Sequence, residues 1–370
     1  MDYNEQASLS YPVNINELLK VAVKEEASDL HMVAGFPPAV RVNGSIKALN
    51  YPPLRPKDME SLLLPLLTEL QLENLKRKLE LDFSYVIEGV ARFRGNIMFQ
   101  RGTYAAAFRG VPFVIPEFEK LGLIPEIKKL CELSKGLVLV TGPAGSGKST
   151  TLAALVDILN RTRELNIVTI EDPIEFLHKH KKSIVKQREI GIDTRSFANA
   201  LRHVLRHDPD VIMIGEMRDL ESISIALTAA ETGHLVLSTL HTQTAPTTIS
   251  RIIDAFTEEK RELVRLQLAN TLQAVISQQL IPAIDGPGMV VAVEYMVNTN
   301  AIRNMIREKK EHLVYSAIQM GQAYGMQTMD QALVKLYNNR KISREYVLEY
   351  CVDKQEVERL LRQPAINNLI

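Results

Sequence analysis

The spacing of apolar residues changes along the chain and predicts two domains of different architecture. Apolar residues recur at helical spacing in 16–26 and again in 57–79, so each stretch predicts a helix. Alternating apolar residues in 39–46 predict a β-hairpin with Asn43-Gly44 as its turn. Three further strands are predicted at 83–87, 91–99 and 104–109. The leading part of the chain is therefore expected to be an α+β domain.

From residue 137 onward, short and continuously apolar segments alternate with helical stretches. The apolar segments lie at 137–140, 167–170, 211–214 and 235–238. Strands of this kind, with helices between them, are typical of a parallel sheet that is covered on both faces. Helices are again predicted from about residue 300 to 362. This part is therefore expected to be an α/β core with a helical region after it.

Prolines cluster between residues 109 and 121 and mark the boundary between the two domains. The predicted division is a flexible tail at 1–14, an N-terminal domain at 15–112, a linker at 113–120, an α/β core at 121–300 and a C-terminal helical region at 301–370.

Composition and charge argue against several classes of protein. The 370 residues are 46% apolar and 24% charged, which excludes wholesale disorder. The 44 basic and 44 acidic residues cancel, and aromatic residues make up only 6%, which argues against a broad nucleic-acid surface. Cys131 and Cys351 are the two cysteines, so a four-cysteine zinc module and a disulfide framework are excluded. Such cysteine usage fits a reducing cytoplasm.

The sequence contains no apolar segment that approaches the roughly 20 residues of a membrane span. The polar start at 1–10 lacks the layout of a signal peptide. We therefore expect a cytoplasmic protein that reaches a membrane by binding a membrane protein.

A phosphate-binding motif is the strongest signal for function, because 142–150 matches GxxxxGK[ST] between a predicted strand and a predicted helix. Glycines let successive backbone N–H groups turn toward phosphate oxygens, and the helix N-terminus adds partial positive charge. Lys148 is expected to reach the β- and γ-phosphates, and Ser149 to hold Mg²⁺. The candidate nucleotide-binding residues are Gly142, Pro143, Ala144, Gly145, Ser146, Gly147, Lys148, Ser149 and Thr150.

Carboxylates follow two of the apolar strands, where ligands bind in parallel sheets. Glu216 follows the strand at 211–214 and is the candidate base for the attacking water. Gly215 stands where a metal-binding Asp is expected in such a strand, so another carboxylate must help with Mg²⁺ or its waters. Glu171 and Asp172 are the candidates for this task. The alternative is that these acidic residues cap the next helix.

His234 and His241 flank the apolar strand that begins at Leu235. They are not expected to share a metal ion, because the two ends of such a strand lie about 20 Å apart. From spacing alone, a structural role for each histidine is the alternative to a catalytic one.

These motifs, in this order, resemble those of the secretion ATPases of type II and type IV pilus systems. The resemblance covers roughly residues 15 to 340. The matching segments are 142–150 (Walker A), 169–176 (the Asp box), 208–219 (an atypical Walker B with the same Gly), 232–242 (the His box) and 26–44 (an N-terminal signature), continued by 251–256 and 278–282.

The resemblance implies a PAS-like N-terminal domain followed by a RecA-like P-loop ATPase domain. It also implies a hexameric ring that binds ATP and Mg²⁺ between the two domains. Arginines of the N-terminal domain act as fingers in the family; Arg94 and Arg109 match those positions, and Arg101 is a nearby third candidate. The His box adds His234 and His241 to the catalytic candidates. For the arginines, a solvated sheet face is the alternative.

Within the family, the chain resembles the retraction ATPases of type IV pili. We expect no added N-terminal domain, the sequence has no tetracysteine zinc insertion, and 301–310 is similar to the AIRNLIRE signature, with Met305 in place of Leu. Ala144 replaces the usual Thr, as in a paralogous accessory retraction ATPase that lacks a good match to the signature. Arg303, Arg307 and Lys310 form a basic stripe on the predicted helix, for which an ordinary solvated face is the alternative.

The resemblance therefore implies a Mg²⁺-dependent ATPase that powers pilus retraction and twitching motility. It also implies a homohexamer that acts on a platform protein at the cytoplasmic face of the inner membrane, with the accessory ATPase as a further candidate partner. An assembly or secretion ATPase of the same family is one alternative, against which the missing cysteines count. A RecA-like nucleic-acid motor and a small-molecule kinase are alternatives from other classes.

Overall fold

The computed structural model describes residues 11–42, 44–111, 114–286 and 288–362. The chain divides into two compact units, Met1–Val114 and Ile115–Ile370, and the division lies inside the predicted linker. Most of the predicted tail, the turn residue Asn43 and the last eight positions of the predicted C-terminal region lie outside the described residues.

The first unit is an α+β domain, as predicted. Its helices and strands are α1 Ile15–Lys24, β1 Asp29–Val33, β2 Ala39–Val42, β3 Ser45–Ala48, α2 Pro56–Leu63, α3 Glu69–Lys78, β4 Glu80–Ile87, β5 Ala91–Gln100 and β6 Thr103–Val111. The strands form an antiparallel sheet in the order β3-β2-β1-β6-β5-β4. Apolar residues of the three helices pack with buried strand residues such as Leu30 and Ile97 to form the core.

The prediction of one continuous helix at 57–79 is wrong, because the structure has two α-helices there. A 3-10 helix at Leu64–Leu66 follows α2 and contains Pro65, which lacks the N–H that an α-helix requires. Thr68 then starts α3, since its side chain accepts a hydrogen bond from the backbone N–H of Gln71. Helical spacing of apolar residues therefore continues through a break that proline and a capping threonine impose.

The second unit holds a seven-stranded sheet with helices on both faces. Its elements are β7 Gly136–Thr141, α4 Lys148–Thr162, β8 Asn166–Glu171, β9 Ile184–Glu189, α5 Phe197–Val204, β10 Val211–Ile214, α6 Leu220–Glu231, β11 Leu235–Leu240, α7 Ala245–Asp254, α8 Glu258–Thr271, β12 Leu272–Pro282, β13 Met289–Val297, α9 Asn300–Arg307, α10 Val314–Gln319, α11 Met329–Asn338, α12 Arg344–Tyr350 and α13 Lys354–Arg362. Short 3-10 helices lie at Phe118–Leu121, Pro125–Glu132, Glu311–Leu313 and Gln322–Tyr324.

The strand order is β13-β12-β7-β11-β10-β8-β9, and every neighbouring pair is parallel except β12 with β13. The four strands predicted from apolar segments are confirmed and form the middle of the sheet. Alternate residues of β7, such as Leu139 and Val140, belong to separate hydrophobic cores on the two faces. A strand that is buried on both faces needs apolar residues at every position, which explains the continuous segments.

The helical region after residue 300 is confirmed for the described residues. Ile302 and Ile306 on α9 are fully buried, so the apolar side of this helix packs as predicted. The helices α11, α12 and α13 enclose a smaller core with residues of β12 and β13. Within the described parts of the chain, no helix has the length and apolar character that a membrane span requires.

Candidate active site

The loop between β7 and α4 has the conformation that phosphate binding requires. Gly142, Gly145 and Gly147 have φ angles of 141°, 78° and 86°, which glycine adopts without strain. A Cβ atom at Gly142 would lie 2.2 Å from the carbonyl oxygen of Gln278 on β12, so this position has no room for a side chain. The predicted sequence of strand, glycine-rich loop and helix is therefore present.

Lys148 is turned back onto its own loop. Its Nζ donates hydrogen bonds to the carbonyl oxygens of Gly142 at 2.9 Å and Pro143 at 2.8 Å. Burial lowers the pKa of the Lys148 ammonium, while the carboxylates of Glu216 and Glu175 oppose that shift. The cation is thus held inside the loop, where a phosphate group would compete for it.

A cavity of about 230 Å³ lies beside this loop. Its lining brings together Lys148, Ser149, Glu171, Glu216 and His241, together with the exposed Asp172. The loop suits a phosphate, because the Ser146 hydroxyl is buried and has no hydrogen-bond partner among the described residues. The cavity also suits Mg²⁺, since it offers hydroxyl and carboxylate oxygens, which are the ligands this cation prefers.

Glu216 follows β10 and is held at both carboxylate oxygens. Its Oε1 lies 2.9 Å from Nε2 of His241, and its Oε2 lies 2.8 Å from Nε of Arg218. The side chain is 18% exposed and therefore stays within reach of water in the cavity. Each carboxylate oxygen can accept a further hydrogen bond, so Glu216 can take up a proton from water while both partners stay in place.

Glu171 also lines the cavity, but its carboxyl group is buried and hydrogen-bonded to the protein. Oε1 accepts hydrogen bonds from Thr169 Oγ1 at 2.6 Å and Gln187 Nε2 at 3.0 Å, and Oε2 accepts one from the backbone N–H of Glu175 at 3.4 Å. Burial raises the pKa of Glu171, and these hydrogen bonds oppose the rise. Glu171 is therefore a more enclosed group than Glu216, with less freedom to meet water.

The alternative that the two glutamates cap helices is wrong. Residues 172–183 contain no helix, so Glu171 has none to cap. The helix after Glu216 is α6, and Asp219 caps it, because its Oδ1 accepts the backbone N–H of Ser222 at 2.8 Å. Glu216 is therefore left to face the cavity.

The two histidines lie at opposite ends of β11. His241 follows the strand and lines the cavity, whereas Nδ1 of His234 lies 2.9 Å from the carbonyl oxygen of Ala229. The carbonyl oxygen of His234 also accepts the backbone N–H of Gly136, where β7 begins. Because the phosphate loop follows the other end of β7, the structure does not bring His234 to this cavity.

Arg94 and Arg109 are direct partners across β5 and β6. Their side chains are 50% and 70% exposed. Nε of Arg109 lies 2.8 Å from Oδ1 of the buried Asp29. Nη2 of Arg94 lies 4.0 Å from Oδ1 of Asp82. Like charges in opposed positions repel each other, so these carboxylates offset part of the repulsion. Arg101 occupies the turn between the two strands with a φ of 49°, so the structure does not group it with the other two.

Sequence reasoning missed three side chains that line the cavity or contact a residue that lines it. Arg218 pairs with Glu216, and a signal existed, since residues two apart on an extended segment share one side. Gln187 on β9 donates to Glu171 and accepts the backbone N–H of His178, and no motif identified it. His178 also lines the cavity. Burial lowers the pKa of its imidazole to about 4, so the ring is uncharged at neutral pH.

Comparisons with known proteins identify relatives that are ATPases of pilus and secretion systems. The sequence profile of type II/IV secretion system proteins matches residues 112–362. The type IV pilus retraction ATPase PilT of Pseudomonas aeruginosa is 50% identical over 337 residues, which span 91% of this chain and 98% of that protein. A twitching motility protein of Neisseria gonorrhoeae is 45% identical over 332 residues, with coverages of 90% and 89%.

A solved structure is similar over nearly the whole chain. The crystal structure of the pilus retraction motor PilT with bound ADP is 51% identical in sequence and has a TM-score of 0.89. The match covers 94% of this chain and 99% of that one.

Proposed function

The chain belongs to the family of type II/IV secretion system proteins, and we propose that it is the ATPase that powers retraction of type IV pili. One observation carries this proposal: a phosphate loop with Lys148 and a carboxylate, Glu216, line one cavity in a chain that matches a retraction ATPase almost from end to end. The reaction is hydrolysis of ATP to ADP and phosphate. Retraction is the work that this hydrolysis drives.

Each functional residue of the cavity has its own role in the proposed hydrolysis of ATP. Lys148 and the backbone N–H groups of the loop hold the phosphates and stabilise the charge that develops during phosphoryl transfer. Ser149 would hold Mg²⁺, with Glu171 and Asp172 acting through its waters, and bound Mg²⁺ would neutralise phosphate charge. Glu216 accepts the proton of the attacking water, and His241 orients Glu216 through their contact.

Positive charge from the first unit completes the proposed mechanism. Arg94 and Arg109 act as fingers that stabilise the transition state, and their exposed positions on neighbouring strands support this role. Arg101 is a third, weaker candidate because it occupies the turn. We propose that the chain, with these arginines, assembles into a homohexameric ring, as the family resemblance implies.

The proposed partner is a platform protein at the cytoplasmic face of the inner membrane. The names of the relatives, which concern pilus retraction and twitching, support a partner within the pilus system, and the platform protein is the partner that the family resemblance implies. A paralogous accessory retraction ATPase is a second candidate partner. An assembly ATPase of the same family is the alternative, and it would drive the platform in the opposite sense.

Complementation tests the direction of the motor. A Pseudomonas aeruginosa strain without its own retraction ATPase is supplied with this chain or with its Lys148→Ala variant. We expect the intact chain to restore twitching and to reduce surface pili, and the variant to do neither. Restored pilus assembly in a strain that lacks its assembly ATPase would instead support the alternative. Purified protein that fails to hydrolyse ATP with Mg²⁺ present would contradict both.

A further inference from the structure

A row of buried polar side chains crosses three strands beside the phosphate loop. Thr141, Ser277 and Glu294 are direct partners on β7, β12 and β13. The Thr141 hydroxyl donates to Ser277 Oγ at 3.0 Å, and Ser277, the cross-strand partner of Glu294, lowers the pKa of the Glu294 carboxyl group through its hydroxyl. All three side chains are fully buried. The row begins one residue before Gly142 and ends at a carboxylate that no sequence motif identifies.

Glu294 joins the first turns of two helices. Its Oε1 accepts the backbone N–H of Ala245 at 2.6 Å, where α7 begins, and its Oε2 accepts that of Met329 at 3.4 Å, where α11 begins. The first N–H groups of a helix lack partners within the helix and carry partial positive charge. One carboxylate therefore satisfies donors on α7, which follows His241 by four residues, and on α11 in the C-terminal helical region.

The surroundings of Glu294 let it change charge near neutral pH. Burial raises its pKa to about 7, the hydrogen bonds from both helices oppose the rise, and Asp330 on α11 adds to it. Tyr315 on α10 also faces this site, and its hydroxyl donates to Asp330 Oδ2 at 2.7 Å. The strand β12 contributes the hydroxyl of Ser277, and α7 contributes the amide of Ala245.

We propose that Glu294 is a positioning residue for ATP hydrolysis, whose ionised carboxylate ties the C-terminal helical region to the loop that carries His241 and to the strand before the phosphate loop. The inference rests on the proposed ATPase function. An ionised carboxylate accepts both helix N–H groups at once. Protonation turns one oxygen into a hydroxyl, which carries a proton and is a weaker acceptor than a carboxylate oxygen, so the hydrogen bond to one helix weakens.

The variant Glu294→Gln separates this role from simple packing. Glutamine has the same size, but it keeps one acceptor oxygen and presents an NH₂ group to the other helix. We compare kcat and KM for ATP in both proteins from about pH 6 to about pH 8. The ratio of wild-type to variant kcat should rise from about one at the acidic end, where wild-type Glu294 is itself protonated, to about tenfold at the basic end. KM should stay unchanged.

Glu349→Gln is the matched control, because it removes an exposed carboxylate of the same region. The ratio of wild-type kcat to Glu349→Gln kcat should stay near one at every pH. A wild-type to Glu294→Gln ratio that does not change with pH overturns the proposal and leaves Glu294 a packing residue.

Amide hydrogen exchange of wild-type protein tests the same link if the variant does not fold. Relative to other buried amides of the second unit, which report the change in overall stability, the backbone N–H groups of Ala245 and Met329 should be better protected at about pH 8 than at about pH 6 after correction for intrinsic rates. Equal protection overturns the proposal. Wild-type protein without ATPase activity would refute the proposed function instead, and the exchange measurement would still report on these hydrogen bonds.

Discussion

His241 and Glu216 are joined by a contact of 2.9 Å between Nε2 and Oε1, which links the ends of the neighbouring strands β11 and β10. Arg218 holds the other oxygen of the same carboxylate. The group that is proposed to accept a proton from water is therefore fixed in orientation before any substrate arrives. Such preorganisation favours catalysis, because the carboxylate need not be ordered during the reaction.

Lys148→Ala should abolish ATP hydrolysis. The change removes the one buried ammonium of the phosphate loop and leaves the glycine backbone intact. Phosphate release measured with Mg²⁺ present checks the result. Lys260→Ala, at an exposed lysine of α8, is the control and should keep full activity. Wild-type turnover by Lys148→Ala would contradict the assignment of the loop.

Glu216→Gln should lower kcat by roughly 10²–10⁴-fold, the range for loss of a positioned general base. The amide keeps the shape of the side chain but does not take up the proton of water. Nucleotide affinity, measured by titration with a fluorescent ATP analogue, should change little. Glu171→Gln is the informative comparison, because Glu171 lines the same cavity. If only Glu171→Gln loses activity, the roles of the two glutamates are reversed.

Arg94→Ala and Arg109→Ala should each lower kcat by roughly 10²–10⁵-fold, on the scale of known arginine fingers. Both side chains are exposed, so Arg94→Ala should leave the stability unchanged. Arg109→Ala also removes the ion-pair partner of the buried Asp29, so it should fold but unfold at a lower temperature. Arg77→Ala, at an exposed position on α3, is the control. Steady-state ATPase rates and thermal unfolding test both points. Mixing Arg109→Ala with Lys148→Ala protein should restore some activity if a finger serves a neighbouring subunit.

The free energy of unfolding should fall as the pH rises from about 4.5 to about 7, because of Glu294. Its pKa in the folded chain is about 7, against 4.5 for an ordinary glutamate, so the folded state binds more protons across this window. This contribution is complete below pH 4.5 and is lost as the pH rises through 7. The shift corresponds to about 3 kcal/mol. Urea denaturation at several pH values should show this slope in wild-type protein and a flatter profile in Glu294→Gln.

Arg307→Glu combined with Lys310→Glu should abolish twitching but leave purified ATPase activity within a few-fold of wild type. Both side chains are exposed on or next to α9, and neither lines the cavity around Lys148. Arg303 is left unchanged because its Nε donates to the carbonyl oxygen of Ala269 at 3.1 Å and helps to hold the helix. Complementation of a strain without a retraction ATPase checks twitching.

Ile302→Ala is the control for this helix. Ile302 is fully buried, so its truncation should lower the free energy of unfolding by roughly 2–5 kcal/mol. Normal twitching in the charge-reversed variant would show that the basic stripe is an ordinary solvated face.

The phosphate loop and Glu216 could be predicted from sequence, because their chemistry requires certain residue types at fixed spacing. The strand β12 could not, since α8 ends at Thr271 and β12 begins at Leu272 with no turn residue between them. Buried polar residues such as Ser277 also interrupt its apolar pattern. The contact of Gln187 with Glu171 depends on the pairing of β8 with β9, which no local pattern encodes.

The hydrogen bonds of Lys148 to its own loop must be replaced when a ligand binds to its ammonium group. The ammonium already has two carbonyl partners, on Gly142 and Pro143, so a ligand must exchange these contacts for better ones. A single weakly bound anion gains little from such an exchange, whereas a polyphosphate that also engages the backbone N–H groups gains several contacts at once. We therefore expect the loop to discriminate by the number of simultaneous contacts, and common cellular anions to compete poorly for the site.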